Sequence, residues 1–458
     1  MWKFSMILLL AVMLSGCTTG PMPILPSPEQ VAYQEMEMVV FIHFTINTFT
    51  DKEWGFGDED PGWFNPTGLN AEQWVLAAKA GGMKELILTA KHHDGFCLWP
   101  SEYTQHSIKA SPYKEGKGDI VREFVDACRK HGLKVGLYLS PWDRNHKDYG
   151  NPEYITYYRN QLRELLTNYG EINEIWFDGA NGGDGYYGGA NCDRRVDKLT
   201  YYDWPTTFSL VKKLQPGIKI FSDAGPDIRW VGNEHGFAGE TFWPTISTKD
   251  LVIGDSDPAY LNTGDPGGDK WMIGQCDVSI RPGWFYHASE DSLVKSPQEL
   301  VDIYYKSVGR NGVLLLNLPP DRRGLIHETD VAHLREFKKI LDETFGQNLG
   351  KGAKWTTGDQ DTCPIEMIID LEGPVTFDRI LLGEPIREGQ RISSFHVDAQ
   401  LVHGNWQEVA RGTTVGYKRI LKTGLMTTSR LRVVVDSSFY TPSITEFGLY
   451  RSSLGELQ

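Results

Sequence analysis

Between residues 39 and 318, short apolar or β-branched runs alternate with amphipathic stretches, and the early runs recur about every 40 residues, the length of one strand-plus-helix unit. The strand candidates are 39–44, 85–89, 134–139, 174–177, 219–222, 271–273 and 312–318, with a weaker one at 240–242. Helical stripes separate them: Tyr158, Leu162, Leu165, Leu166 and Tyr169 share one face of 152–170, and Ile120, Phe124, Ala127 and Cys128 do the same before Gly132. Short runs of continuous rather than alternating apolarity mark strands buried on both faces. A parallel barrel ringed by helices is the simplest solution. The rival is a doubly wound open sheet, but no Gly-x-Gly-x-x-Gly follows the first run.

Beyond a helix-like 328–345 the texture changes. Phe395, Val397, Ala399 and Leu401 alternate with polar partners, as do Leu431, Val433 and Val435, so 350–451 reads as antiparallel strands. A chain of 458 residues, 40% of them hydrophobic, has material for two cores. The expected fold class is α/β: a (β/α)8-like barrel over 35–348 followed by a C-terminal β-sandwich over 349–458. The sandwich serves either as an accessory sugar-binding module or as a buttress. No exposed aromatic platform stands out in its sequence, which favours the buttress.

Lys3, an apolar core from Met6 to Leu14 and the small-residue context Leu14-Ser15-Gly16-Cys17 resemble the signal and lipobox of bacterial lipoproteins. The core is far short of the roughly 20 residues that a spanning helix needs. Residues 1–17 are therefore expected to be a signal segment with Cys17 as the lipidated residue, and the proline-rich 18–34 a tether. The expected location is periplasmic or cell-surface, with the membrane reached only through that lipid.

A net charge of −14 argues against nucleic acid, whose phosphates need a positive surface. Besides Cys17, the cysteines Cys97, Cys128, Cys192, Cys276 and Cys363 show no metal-ligand spacing and allow at most two disulfides. No metal and no cofactor is expected.

Chemistry should sit at the strand C-termini of such a barrel. The run Glu174-Ile175-Trp176-Phe177 stops on Asp178 and opens into a glycine-rich loop, so Asp178 is either a catalytic group or a loop cap. Neighbouring tips carry His43, then Lys91-His92-His93-Asp94, then Tyr138 and Ser140-Pro141-Trp142-Asp143. Polar and aromatic groups of this kind suit a hydroxylated ring. His92 and His93 would point to opposite sides of a continuing strand, so hydrogen bonding to hydroxyls is more economical than a shared metal.

At these residues the chain resembles the α-L-fucosidases of glycoside hydrolase family 29. The matching pieces, in order, are Phe41-Ile42-His43-Phe44, Glu53-Trp54-Gly55, Lys91 to Phe96, Trp176-Phe177-Asp178-Gly179 and Asn311 to Pro320. The resemblance implies a retaining mechanism with Asp178 as nucleophile. It implies fucose contacts from His43, Glu53, Trp54, His92, His93, Tyr138 and Trp176, and also from Arg229 and Trp284. The stretch Gly232-Asn233-Glu234 resembles the acid/base turn of the branch restricted to α-1,3 and α-1,4 linkages, which implies Glu234 as acid/base with Glu240 as the runner-up. A retaining pair needs carboxylates about 5 to 5.5 Å apart. The expected activity is exo-hydrolysis of fucose from Lewis-type or related branched oligosaccharides and glycoconjugates. The alternatives are a broad-specificity fucosidase and a non-catalytic surface glycan-binding protein.

Overall fold

In the computed structural model, which describes residues 23–358 and 364–454, eight parallel strands close into a barrel. In chain order they are β1 (Met38–Ile42), β2 (Glu85–Lys91), β3 (Lys134–Leu139), β4 (Glu174–Trp176), β5 (Lys219–Phe221), β6 (Ile228–Trp230), β7 (Ile273–Ser279) and β8 (Val313–Asn317). Each strand pairs with its neighbours in sequence, and β8 closes on β1. Alternation along the strands builds two apolar layers. Phe41, Ile87, Tyr138, Trp176, Ile228 and Leu315 fill the interior, while Val40, Leu86, Leu137, Ile175 and Leu316 face the helices outside. The amphipathic stretches form helices where the periodicity places them, at Ile120–Lys130, Pro152–Asn168 and Glu328–Phe345.

The barrel departs from the sequence reading at its sixth strand. Residues 240–242 are not a strand: Phe242 plugs the outer face of β7, where a side chain at Gly274 would sit 2.1 Å from its ring. The sixth strand is Ile228–Trp230, reached from β5 by six residues with no helix, too short for the usual crossover between parallel strands. The run expected at 271–273 is divided. Lys270–Trp271 pairs with Thr245–Ile246 in a separate ribbon, and β7 starts at Ile273 and continues to Ser279.

The expected tether also ends earlier than 34. Ser27 caps a helix at Pro28–Gln34 through a complete capping box, and that helix seals the bottom of the barrel. Gln30 Nε2 donates to the carbonyls of Asp227 and Trp271, and Gln34 Nε2 to that of Asn311. Residues 1–17, and with them Cys17, lie outside the described residues, as does Cys363. Among the described residues Cys97, Cys128, Cys192 and Cys276 are free thiols, and no helix is long and apolar enough to cross a membrane.

The C-terminal strands form an antiparallel β-sandwich around a separate core containing Phe395, Val397, Leu431, Val433 and Val435. Leu401 falls in the turn beyond Ile392–Gln400 and is exposed. Trp355, on the strand Lys354–Thr357, is 37% exposed and meets Phe447 edge-on.

Candidate active site

The strand C-termini converge on one mouth. Asp178 lies two residues past the end of β4, on the same side of the chain as the inward-facing Trp176. The Tyr138 hydroxyl donates to Asp178 Oδ2 at 3.1 Å and the Ala180 N–H to Oδ1 at 2.7 Å, while His93 Nε2 stands 4.0 Å from Oδ2. These contacts fix the carboxylate while leaving a quarter of its side chain open.

β2 ends at Lys91, so the alternation expected to separate His92 from His93 does not apply, and their rings lie 4.1 Å apart. His92 stacks on Tyr138, and its buried Nδ1 has no partner among the described residues. His93 Nδ1 meets Ser140 Oγ at 2.7 Å. His43 Nδ1 lies 2.8 Å from Asn317 Oδ1. The Asn317 amide donates to Ser279 Oγ and the Trp284 carbonyl, so its oxygen faces His43 and Nδ1 carries the proton. Burial holds all three imidazoles neutral, lowering His43 to about 3, His93 to about 4 and His92 well below its ordinary value. Neutral rings suit them to exchange hydrogen bonds with hydroxyls. No cluster among the described residues has the donors for a metal ion.

Aromatic rings complete the mouth. Trp176 stacks on Phe221 at 4.1 Å, and its indole N–H donates to Gln275. Trp54, 54% exposed, stands edge-on to His93 and Trp142. Trp284 tilts over His43 at 5.2 Å, and its indole N–H donates to Glu234 Oε2 at 3.2 Å. The Glu53 carboxylate accepts the backbone N–H groups of Trp284 and Phe285.

Asp178 and Glu234 open onto the same cavity, of about 640 Å³, together with Trp176, Trp230, Asp223 and Asp277. Glu234 reaches solvent at the rim. Packing against the cavity wall raises its pKa and the charge of Asp178 adds to that, while the Trp284 N–H opposes both. Asp223 is pushed to about 7 and Asp277 well above the carboxylate range, each mainly by burial. The segment 254–258 forms the far wall. It lies so close to 179–181 that a side chain at Gly254, whose φ is +81°, would meet the Asn181 amide at 2.2 Å.

Two of the residues singled out in the sequence fall elsewhere. Arg229 points away from the mouth. It is fully buried, and its guanidinium donates to the carbonyls of Leu261, Pro244, Met272 and Trp243. Its neighbours Ile228 and Trp230 face inward, so alternation turns Arg229 out. Glu240 is paired with Arg310 and with Arg419 of the C-terminal domain. Those two cations hold it outside the cavity.

Trp230, Asp223 and Asp277 were not found by sequence reasoning. Trp230 adjoins the Arg229 that drew attention, and Asp223 follows a strand tip as Asp178 does, so a signal existed for both. Asp277 lies in the part of β7 not recognised as strand. The loop after Asp178 also carries a hairpin, Gly182–Gly185 with Cys192–Arg195.

A family model described as alpha-L-fucosidase matches residues 27–344. Alpha-L-fucosidase 1 of Arabidopsis thaliana is 46% identical to this chain, covering 94% of it and 88% of the relative. Among solved structures, a glycoside hydrolase 29 family member from an unknown rumen bacterium superposes with a TM-score of 0.90 at 47% identity, over 96% of this chain and 79% of its own. A Ruminococcus gnavus GH29 fucosidase in complex with fucose superposes with a TM-score of 0.83 at 32% identity, over 96% and 97% of the two chains.

Proposed function

Because this chain belongs to the α-L-fucosidase family of glycoside hydrolases, we propose that it is a retaining exo-α-L-fucosidase acting on α-1,3- and α-1,4-linked fucose of Lewis-type glycans. The observation that carries the reading is the opening of Asp178 and Glu234 onto one cavity while Glu240 is tied to two arginines outside it. Fucose occupies the pocket between His43, His92, His93, Tyr138, Trp176 and Trp54. The Asp178 carboxylate attacks the anomeric carbon as Glu234 gives its proton to the glycosidic oxygen, and the leaving sugar departs as an alcohol. Glu234, now ionised, takes a proton from a water that attacks the same carbon, breaks the ester to Asp178 and releases fucose with its configuration retained. The raised pKa of Glu234 supports its role, since an acid must hold its proton before transfer. A glycan-binding protein without turnover is not favoured, because binding alone does not call for this carboxylate pair.

The linkage reading rests on the Gly232-Asn233-Glu234 turn. Hydrolysis of an aryl fucoside compared with α-1,2-, α-1,3- and α-1,4-fucosylated oligosaccharides tests it, and preferential cleavage of the α-1,2 isomer would overturn it. Trapping with methanol tests the stereochemistry, and only the α-methyl fucoside is expected. For Cys17 we propose a lipid anchor at the periplasmic or outer surface. Cys17→Ser should move the protein to the soluble fraction at unchanged specific activity, and retention in the membrane fraction would refute the anchor.

A further inference from the structure

The loop carrying Trp284 is held from both sides. Its carbonyl accepts from Asn317 Nδ2 at 2.8 Å, and its N–H donates to Glu53 Oε2 at 2.8 Å. The other Glu53 oxygen accepts the Phe285 N–H at 3.0 Å and lies 2.7 Å from His287 Nε2. On its far side, His287 Nδ1 lies 2.7 Å from Asp51 Oδ1. An imidazole flanked by carboxylates at both nitrogens donates to both only as the cation. Neither Asp51 nor His287 lines the cavity containing Asp178 and Glu234.

We propose that Asp51 and His287 are positioning residues, which with Glu53 form a carboxylate–imidazolium–carboxylate brace that seats Trp284 on Glu234 and ties the acid's behaviour to the charge of His287. The proposal rests on the reading of Glu234 as acid/base. Around the brace, Lys52 is turned towards Glu59, and Glu290 accepts the Gly283 N–H. Asp51 and Glu53 are thus the carboxylates directly facing the ring. Burial works to lower the His287 pKa, but the hydrogen bonds to Asp51 and Glu53 outweigh it and raise the value. Below the raised pKa the brace is intact. Above it, one ring nitrogen becomes a lone pair facing a carboxylate, the Trp284 loop loosens, and Glu234 loses the indole N–H that orients its carboxyl, a loss of positioning that outweighs the higher pKa the acid gains without that donor. The basic limb of the activity profile should therefore report two protons rather than one.

The test compares pH profiles of kcat/KM for an aryl fucoside and a Lewis trisaccharide in the wild type, His287→Gln and Asp51→Asn. His287→Gln is expected to lower trisaccharide hydrolysis about tenfold and the aryl fucoside less than threefold, and to remove one proton from the basic limb. Asp51→Asn, which keeps an acceptor but not the charge, should move that limb to lower pH. Tryptophan fluorescence read against pH supplies a signal independent of turnover. A step at the pH of the lost proton is expected in the wild type and absent in both His287→Gln and Trp284→Phe. Equal losses on the two substrates with an unchanged pH profile, or no such step, would overturn the brace. If Glu234→Gln shows no dependence on leaving group, the acid assignment fails instead, and the fluorescence step still reports on the brace.

Discussion

The two ends of the barrel collect the same kinds of residue and put them to opposite uses. At the bottom, Glu85 and Glu174 start β2 and β4 with no exposure at all, beside Lys219. Glu85 accepts from Asn173 and Glu174 from Gln275, and each keeps one oxygen with no partner among the described residues. Burial pushes Glu85 to about 7 and Glu174 well above the carboxylate range. Helix Pro28–Gln34 closes that end, leaving a hollow of about 690 Å³ around Tyr33, Lys134, Asn173 and Lys219. It is larger than the cavity at the mouth, yet Asp178, His92 and His93, which carry the sequence resemblance, are at the other end. Perturbed carboxyls and hollow space therefore occur at both ends. What separates them is access: Asp178 and Glu234 present oxygens to an open cavity, and the bottom pair does not.

That contrast is broken most directly at Asp178. Asp178→Ala should lower kcat by a factor of about 10³ or more, with partial rescue by azide occupying the vacated space, and leave the melting temperature near that of the wild type. Near-normal turnover would remove it from the mechanism. Next comes the leaving-group test. Glu234→Gln should slow trisaccharide hydrolysis by about 10² to 10³ and the aryl fucoside much less, because an aryl group departs with little help from an acid. On the reading of Glu234 as acid, the basic limb should lose one proton in that variant and keep the one assigned to His287. Glu240→Gln should do neither and cost about 1 kcal/mol of stability, since the Glu240 carboxylate is largely exposed although its partner Arg419 is buried. The reverse pattern would move the acid to Glu240.

Arg229→Ala sharpens the comparison from the structural side. Stripping four buried carbonyls of their donors should cost about 3 kcal/mol or more in denaturant unfolding, with kcat of the folded fraction kept within severalfold. A loss of turnover without a loss of stability would return Arg229 to the substrate. The smallest effect is expected at the bottom. Glu85 titrates higher folded than unfolded, so the folded state holds more protons between the ordinary carboxylate range and about pH 7, and stability falls as pH rises through that window. Glu85→Gln should flatten this slope by on the order of 1 kcal/mol without altering kcat, and an unchanged slope would show that the pair does not titrate there.

The barrel was legible where a strand's two faces are both apolar, as at Val40 and Phe41 or Leu314 and Leu315. It was illegible where the interior is polar. In β7, Gln275 and Asp277 face inward because the Trp176 and Trp230 indoles donate to them, and a polar residue paired by a distant indole looks like a loop residue in the sequence. β6 was missed because six residues separate it from β5, so the period that revealed the other strands skipped it. Asp178 was visible as the carboxylate that ends an apolar run. Glu234 has no such local mark, and only the family resemblance of its turn singled it out. The error at Arg229 came from reading the same short segment without the strand alternation that turns it outward.

The missing helix between β5 and β6 has a consequence for how such a barrel can diversify. From β1 to β5 and again from β7 to β8 a helix of ten residues or more spans the outside and fixes the length of chain between strands. Past β6 the backbone runs through a long irregular stretch containing Glu234 and the 254–258 wall, anchored by the Arg229 guanidinium rather than by a ring helix at its start. This sector is held to the apolar clusters through single side chains, Leu251 and Ile253 within 247–253, rather than through a whole helix face. Lengthening or shortening 247–253 should therefore change which glycans are cleaved far more than it changes the melting temperature, whereas equal edits between β3 and β4 should unfold the protein.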